Sequence, residues 1–301
     1  MSSPWPDLPE ALQPANAVLL RCGKDPQETA WDLLRGVGQG ADGPSPVAAL
    51  KKTAGLDGDA WERLLLWHAA RAALPQLVNL PVDSAVRENL ANELPQLYRI
   101  KDSVEVGSYR FDRAAKIATL RRFPAGPMEW ETSGIPRSFF LKAGLRGALR
   151  LLGFVAFRLG GRAPCFFMHV APPPRNRGLS VPSLVRKAYY CMARSMELQP
   201  GIRALLAHAW FHDPAAVQDY PHLEALNEPY RKHGGLITVL GPADEGSGVL
   251  EGNRQRRAEY LAGKVQYRYG LAVWPRAAAI RWARAYADHP DWSCRTHPGP
   301  L

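Results

Sequence analysis

Apolar positions recur at helical spacing through the first third of the chain, over residues 27–99. The clearest pattern covers residues 59–74, where Trp61, Leu64 and His68 fall on one helical face. Similar but shorter patterns run over residues 28–34 and 82–94. We therefore predict a mostly helical N-terminal region over residues 1–100. Its first 15 or so residues are rich in proline and lack periodicity, and we expect them to form a loose arm.

Beyond residue 100 the pattern changes to alternating and continuous apolar runs, which are typical of strands. We predict strands over residues 104–111, 115–123, 204–211, 236–240 and 265–274, and a hairpin that joins residues 149–159 to 164–170 around Gly160 and Gly161. Helical patterns lie between them, over residues 184–198, 215–232, 249–262 and 277–287. This order predicts an α+β domain over residues 101–301.

Composition limits the class of protein. Hydrophobic residues make up 46% of the chain and charged residues 22%, as in soluble globular proteins. No apolar run approaches the length of a membrane helix, and the N-terminus has no secretory signal pattern. The four cysteines are widely scattered, and Cys165 and Cys191 lie in apolar surroundings. We expect a reduced, cytoplasmic protein with no membrane partner and no structural zinc site.

The net charge is +10, and arginines accumulate toward the C-terminus. Such an excess favours a polyanionic partner, which could be a nucleic acid, a phosphorylated cofactor or an acidic carrier protein. A solvated arginine-rich surface explains the same excess without any partner. The C-terminal basic residues are Arg254, Arg256, Arg257, Lys264, Arg268, Arg276, Arg281 and Arg284.

A basic loop of six residues, Arg175 to Ser180, follows the apolar run 165–170 and precedes the helical pattern 184–198. A strand, a loop with glycine and a helix N-terminus together place backbone N–H groups and a helix dipole at one point. This arrangement favours an anion site that contains Arg175, Asn176, Arg177, Gly178, Leu179 and Ser180. The alternative is that Gly178 serves only a tight turn.

Two short motifs in this region resemble the GNAT superfamily of N-acyltransferases. Arg175-x-x-Gly178-x-Ser180 is similar to that family's loop for the pyrophosphate of acyl-CoA, although Ser180 replaces a smaller residue. Tyr230-x-x-x-Gly234 is similar to a segment whose tyrosine can act as general acid, although Gly235 replaces an aromatic residue. The resemblance covers residues 149–240 and implies a mixed-sheet core, with acyl-CoA as co-substrate and Tyr230 as acid.

Acyl transfer to an amine also needs a base. His169 and His208 are the main candidates, because they stand at the ends of two predicted strands that would flank the acyl site. His212, Asp213, Glu129 and Glu131 are further candidates. A histidine on an apolar strand is more often a core residue. A metal site at His208-x-x-x-His212-Asp213 is an alternative, but residues four apart on a strand lie about 13 Å apart, and no metal signature is present.

These patterns predict an acyltransferase that moves an acyl group from acyl-CoA or an acyl carrier protein to an amine, without a metal ion. The alternative is a basic protein that binds RNA or tRNA, or a transferase that takes its acyl group from aminoacyl-tRNA. The expected partners are a small-molecule amine or an acyl carrier protein, with tRNA as the alternative.

Overall fold

The computed structural model describes residues 5, 7–21, 25–37, 45–53, 55, 58–100, 105–162, 164–242, 250 and 254–287. The chain divides into two compact units. The first comprises residues 1–80 and 84–123, and the second comprises residues 81–83 and 124–301. Cys22, Cys294 and the tail from residue 288 lie outside the described residues.

The first unit is helical where it is described, and its central helix is almost entirely buried. Trp61, Leu64, Leu65 and Leu66 are each at most 1% exposed, because other helices pack on several sides of this helix. The helices of this unit are α1 (Gln13–Leu20), α2 (Pro26–Arg35), α3 (Pro46–Thr53), α4 (Ala60–Ala73), α5 (Ser84–Glu93) and α6 (Tyr109–Ala118). Short 3-10 helices cover Glu10–Leu12, Leu74–Asn79 and Leu94–Arg99.

Two predictions for this unit were wrong. The N-terminal segment is not a loose arm where it is described, because Leu12 and Ala15 are buried within a helical stretch. Residues 109–118 form helix α6 and not the predicted strands. The Ser108 hydroxyl caps this helix by accepting a hydrogen bond from the Phe111 N–H, and the buried Phe111, Ala115 and Ala118 recur at helical spacing.

The chain forms one mixed sheet of six strands in the order β1-β2-β3-β4-β6-β5, and all of it except the first two residues of β1 belongs to the second unit. The α+β prediction is therefore confirmed. Strand β3 pairs antiparallel with β2 and parallel with β4, whereas β6 runs antiparallel to both β4 and β5. The strands are β1 (Arg122–Ala125), β2 (Met128–Ser133), β3 (Cys165–Val170), β4 (Ala204–Ala209), β5 (Leu236–Pro242) and β6 (Arg268–Pro275).

Helices cover both faces of this sheet. The first face carries Cys165, Leu206 and Leu271, which share a core with side chains of α7 and α8. The other face carries Trp274, which packs against rings from α9, α11 and α13. The helices are α7 (Arg137–Lys142), α8 (Gly144–Phe154), α9 (Pro182–Leu198), α10 (Pro214–Asp219), α11 (Glu224–Lys232), α12 (Arg254–Leu261) and α13 (Arg276–Ala287). Short 3-10 helices cover Arg175–Ser180, Trp210–His212 and Pro221–Leu223.

The predicted hairpin over residues 149–170 was wrong in its first half. Residues 144–154 form α8, and a π-helical turn continues it over Val155–Leu159. Leu151, Val155 and Leu159 are buried at a spacing of four, so the apolar run has a helical and not a strand period. Gly160, with φ +70°, ends the turn, and β3 pairs with β2 instead.

Candidate functional site

The parallel strands β3 and β4 part at one end of their pairing. Their ladder joins Phe166–Met168 to Leu205–Ala207 and stops there. By contrast, β2 pairs with β3 as far as Val170, and β6 pairs with β4 as far as Ala209. His169 and His208 are the first residues beyond the last parallel pair. The structure therefore places both predicted bases at one edge, where the sheet opens between its two central strands.

His169 lies beside two carboxylates of the neighbouring strand. Glu129 stands directly opposite it in the β2–β3 register, so both side chains are on the same face of the sheet. Glu131 is on that face too, and its Oε1 lies 3.2 Å from His169 Nε2. A carboxylate at this distance orients the imidazole by accepting a hydrogen bond from it.

His208 lies among aromatic rings on the same face. Its ring centroid is 4.8 Å from that of Phe139 and 4.6 Å from that of Tyr269. Burial lowers the pKa of His208 to about 4, with a smaller contribution from the Lys142 ammonium. His208 is therefore uncharged at neutral pH and a weak base, which makes His169 the better candidate for that role.

A buried ion pair connects β2 to the basic loop. Glu129 is 0% exposed, and its Oε1 accepts a hydrogen bond from the Arg175 guanidinium. A carboxylate without solvent needs such a partner, because an uncompensated buried charge is strongly unfavourable. Arg175 therefore anchors the loop to the sheet, whether or not an anion also binds there.

The loop itself is a short 3-10 helix, and much of its backbone is engaged internally. The Arg177 N–H donates to the Pro174 carbonyl, and the Val181 N–H donates to the Gly178 carbonyl. The Ser180 hydroxyl donates to the Arg177 carbonyl. The loop thus differs from the open row of N–H donors that the sequence predicted. Asn176 and Leu179 are half-buried, whereas the Arg177 side chain is exposed at the start of α9.

Gly178 has a packing role in this loop. A Cβ added there would lie 3.2 Å from both Leu184 Cδ1 and Pro127 Cβ, closer than most real contacts. Because the residue also serves this close approach, its presence is no evidence for a phosphate by itself. The role of the whole loop in anion binding stays a prediction.

Tyr230, the predicted acid, is fully buried on the other face of the sheet. Its ring packs against Tyr189, Trp274 and His212, with centroids 5.8, 5.9 and 5.5 Å away. Among the described residues its hydroxyl makes no well-formed hydrogen bond, and the Tyr189 hydroxyl is its polar neighbour. Burial raises the pKa of Tyr230 well above its usual range, so the hydroxyl carries its proton at neutral pH.

The neighbouring His212 is held as one tautomer. The Asn227 amide donates to the Phe211 and Leu223 carbonyls, which leaves its oxygen to accept from His212 Nδ1, 2.9 Å away. Nε2 of His212 is then the unprotonated nitrogen, and it is buried without a partner among the described residues. Burial lowers the pKa of His212 to about 4. No sequence pattern points to Asn227, because its role depends on packing against His212.

The structure therefore divides the predicted residues between the two faces. His169, His208 and Glu131 share one face, and Arg175 reaches that face through Glu129. Tyr230 packs on Trp274. The cross-strand partner of His208 is Leu271, and Trp274 lies three residues further along β6, so its side chain points to the opposite face of the sheet. Phe139 was not among the predicted site residues, because no helix or strand was predicted for the segment that forms α7.

The geometry of the described residues adds no support for metal ligation or for nucleic-acid binding. Among the described residues, no three histidine, cysteine or acidic side chains come together as a metal site would require. Asp213 caps α10 and accepts from Arg268. Half of the eight C-terminal basic residues have internal partners: Arg256 stacks on Trp210 and Tyr220, Arg268 contacts Asp213, Arg276 contacts the Met196 carbonyl, and Arg284 contacts Glu197.

No protein-family model matches the sequence, and no curated protein matches it. The fold is similar to crystal structures of an acyltransferase. One, in complex with decanoyl-CoA, has 15% identity and a TM-score of 0.48, over 87% of this chain and 84% of that chain. Another, with decanoyl-CoA and teicoplanin, has 13% identity and a TM-score of 0.46, over 89% and 85%. At this level of identity the similarity concerns the fold alone, and the bound ligands belong to those crystal structures.

Proposed function

We propose that this chain transfers an acyl group from acyl-CoA to an amine acceptor at the point where β3 and β4 part. The observation that carries the proposal is the parallel ladder that stops at Met168 and Ala207. Strand edges beyond the end of a ladder offer backbone N–H and C=O groups to an extended ligand. The amide-containing arm of CoA is such a ligand. This edge also supports the GNAT-like assignment, since the loop and α9 connect these two strands.

The pyrophosphate end of CoA would lie at the start of α9. This helix has 17 residues and no side-chain cap at its N-terminus, so its dipole is directed at whatever binds there. Arg177 is exposed beside it, and its guanidinium pairs with no described carboxylate. Arg175 is held by Glu129 and would contribute mainly by fixing the loop. Arg177 is therefore the residue on which we expect CoA affinity to depend most.

The chemistry requires one proton to leave the amine and one to reach the thiolate. In the proposed step, His169 takes the proton from the amine while nitrogen attacks the thioester carbonyl. The C–N bond forms, the C–S bond breaks, and the imidazolium of His169 gives its proton to the thiolate that leaves. Glu131 stabilises that imidazolium in between. Tyr230 is left out of this step, because it is buried on the face of the sheet opposite His169.

A calorimetric titration with CoA and decanoyl-CoA tests binding. We expect Arg177→Ala to weaken binding by about tenfold, as expected for loss of one charge-assisted contact to phosphate. Arg257→Ala, which removes an exposed arginine from α12, should leave the affinity unchanged. Absence of binding by the unaltered protein, or equal weakening by both substitutions, would refute the proposed donor site.

Two tyrosines in the same cluster give a matched test of the chemistry. Tyr230→Phe removes a hydroxyl whose polar neighbour is the Tyr189 hydroxyl, so stability should change by less than about 1 kcal/mol. We expect its turnover, measured as thiol release with a panel of amines, to stay within about threefold, because Tyr230 lies on the face opposite His169. Tyr189→Phe removes a hydroxyl that donates to the Leu226 carbonyl at 2.8 Å, so it should lose about 1 kcal/mol of stability and keep its turnover. A fall of about a hundredfold in Tyr230→Phe alone would contradict the proposed step and make Tyr230 the acid that the sequence predicted.

A further inference from the structure

The outer side of α8 is a surface that the proposed acyl transfer leaves unexplained. The inner side lies against β5 through Gly147, where an added Cβ would meet Thr238 Oγ1 at 3.3 Å. The outer side carries Leu145, Leu149 and Leu152, which are 81, 62 and 50% exposed. These three leucines stand at positions i, i+4 and i+7 and so form one stripe along the helix.

Two more large apolar side chains are exposed on either side of α8 in the sequence. Leu141 of α7 is 84% exposed, and Phe157 of the π-helical turn is 90% exposed. We call these five side chains the apolar patch. Soluble monomers rarely expose a row of large apolar side chains, and such a row marks a surface that meets a protein or a membrane.

The charge around the apolar patch has a single sign. Between Glu131 and Glu197 the sequence contains eleven lysines and arginines and no acidic residue. Four of them are exposed next to the patch, namely Lys142, Arg146, Arg150 and Arg158. An anionic partner would complement this face, whereas a second copy of it is disfavoured because arginines would meet arginines.

A groove beside the patch adds to this picture. It has a volume of about 560 Å³, and its lining includes Arg150, Arg158, Leu149, Phe157 and the glycine pair Gly234 and Gly235. Two guanidinium groups beside apolar walls match the junction between a phosphate headgroup and an acyl chain.

We infer that α8 docks this protein onto an anionic lipid surface. Leucines inserted at the boundary of the acyl chains and arginines at the phosphates are the combination by which amphipathic helices lie on membranes. The leucines project from a convex helix, which suits a fluid lipid surface better than the matched pocket that a protein partner would have to provide. The inference departs from the expectation of no membrane partner. No helix among the described residues has the length and apolar content to span a bilayer, and surface docking does not require one.

Co-sedimentation of the full chain with vesicles tests the inference. We expect binding to vesicles of phosphatidylcholine with phosphatidylserine, weak binding to phosphatidylcholine alone, and a decrease as ionic strength rises. The double substitution Arg146→Gln, Arg150→Gln should lower the partition coefficient by at least tenfold, since each basic residue near the surface contributes about fivefold. The double substitution Leu145→Ser, Leu149→Ser should lower it to a similar extent.

Matched controls lie on α12, where Leu261 and Arg254 are exposed far from the patch in sequence. Leu261→Ser and Arg254→Gln should bind vesicles like the unaltered protein. Failure of the unaltered protein to bind anionic vesicles would overturn the inference. Binding that depends on the arginines and not on the leucines would do so too, because it would be general attraction to polyanions. A dimer in sedimentation velocity that Leu149→Ser dissolves, without vesicle binding, would assign the patch to self-association instead.

Discussion

The ion pair between Glu129 and Arg175 offers a quantitative test of how the site is held. Arg175→Met removes the guanidinium and keeps most of the aliphatic stem, while the Glu129 carboxylate stays 0% exposed. Two unit charges about 3 Å apart attract each other by roughly 5 kcal/mol at an effective dielectric constant of about 20. This attraction offsets a desolvation penalty of several kcal/mol for each ion. Loss of the arginine removes this attraction while Glu129 stays buried, so we expect stability to fall by about 3–5 kcal/mol.

The measurement is thermal and urea unfolding followed by circular dichroism. For a unit of this size, a loss of about 3 kcal/mol corresponds to a melting temperature about 6–12 °C lower. The neighbouring Arg177→Met is the control, since this arginine is exposed, and its effect should stay within about 0.5 kcal/mol. The double substitution Glu129→Leu, Arg175→Met should recover most of the loss, because a buried ion pair replaced by apolar groups is often neutral.

Two results would refute this reasoning. If Arg175→Met is as stable as the unaltered protein, Glu129 does not depend on the guanidinium. If the double variant is no more stable than the single one, the two residues are not energetically coupled. Either outcome would remove the physical basis for treating the loop as anchored to β2.

Two further predictions concern the residues that pack around His212. Burial lowers the pKa of His212 to about 4, from about 6.5 when unfolded, so its contribution to stability is complete above about pH 6.5 and is lost as the pH falls toward 4. His212→Gln should therefore reduce the slope of the unfolding free energy against pH between about pH 4 and 6.5, by the equivalent of up to about one proton taken up on unfolding. An unchanged slope would contradict a lowered pKa for His212. A Cβ at Gly270 would overlap the backbone of His212 and lie 2.8 Å from the Asp213 nitrogen, so Gly270→Ala should lose at least about 2 kcal/mol in thermal unfolding. Gly134→Ala, with nothing within 4 Å, should lose less than about 1 kcal/mol, and equal losses would argue against this contact.

The buried strands were the most predictable part of the fold. The runs that form β3 and β4 are short, continuous and apolar, and the helices around them have clear period and proline boundaries. The runs that form α6 and α8 were misassigned for the same physical reason. Over a short apolar segment, periods of 2 and 3.6 overlap, and the decision then rests on burial against a neighbour that local sequence does not identify. In α8 the glycine pair at residues 160 and 161 ends a helix, although it is equally suited to a hairpin turn.

The candidate site was predictable as a set of residues but not as an arrangement. His169, Arg175 and Tyr230 could be selected because their types and positions suit anion binding and proton transfer. Their distribution over the two faces depends on the β2–β3 register and on the place where the parallel ladder stops. The contact of Glu129 with Arg175 spans 46 positions of sequence, and no local pattern specifies it.

The buried ion pair between Glu129 and Arg175 lies close to the edge where β3 and β4 part, and its position suggests why it is there. A buried pair contributes little net stability compared with apolar side chains of the same size, so stability alone gives no reason for a buried Glu129 on β2. What the pair does fix is position, because the carboxylate cannot lose its partner without a large penalty. Arg175 therefore ties the loop before α9 to the strand next to β3, close to the place where β3 parts from β4. A fixed loop would hold a bound anion at a constant distance from His169 while an extended chain lies along the strand edge. Transfer from a long phosphorylated donor would require this constant distance, because the reacting carbonyl must reach His169 when the phosphate end is bound.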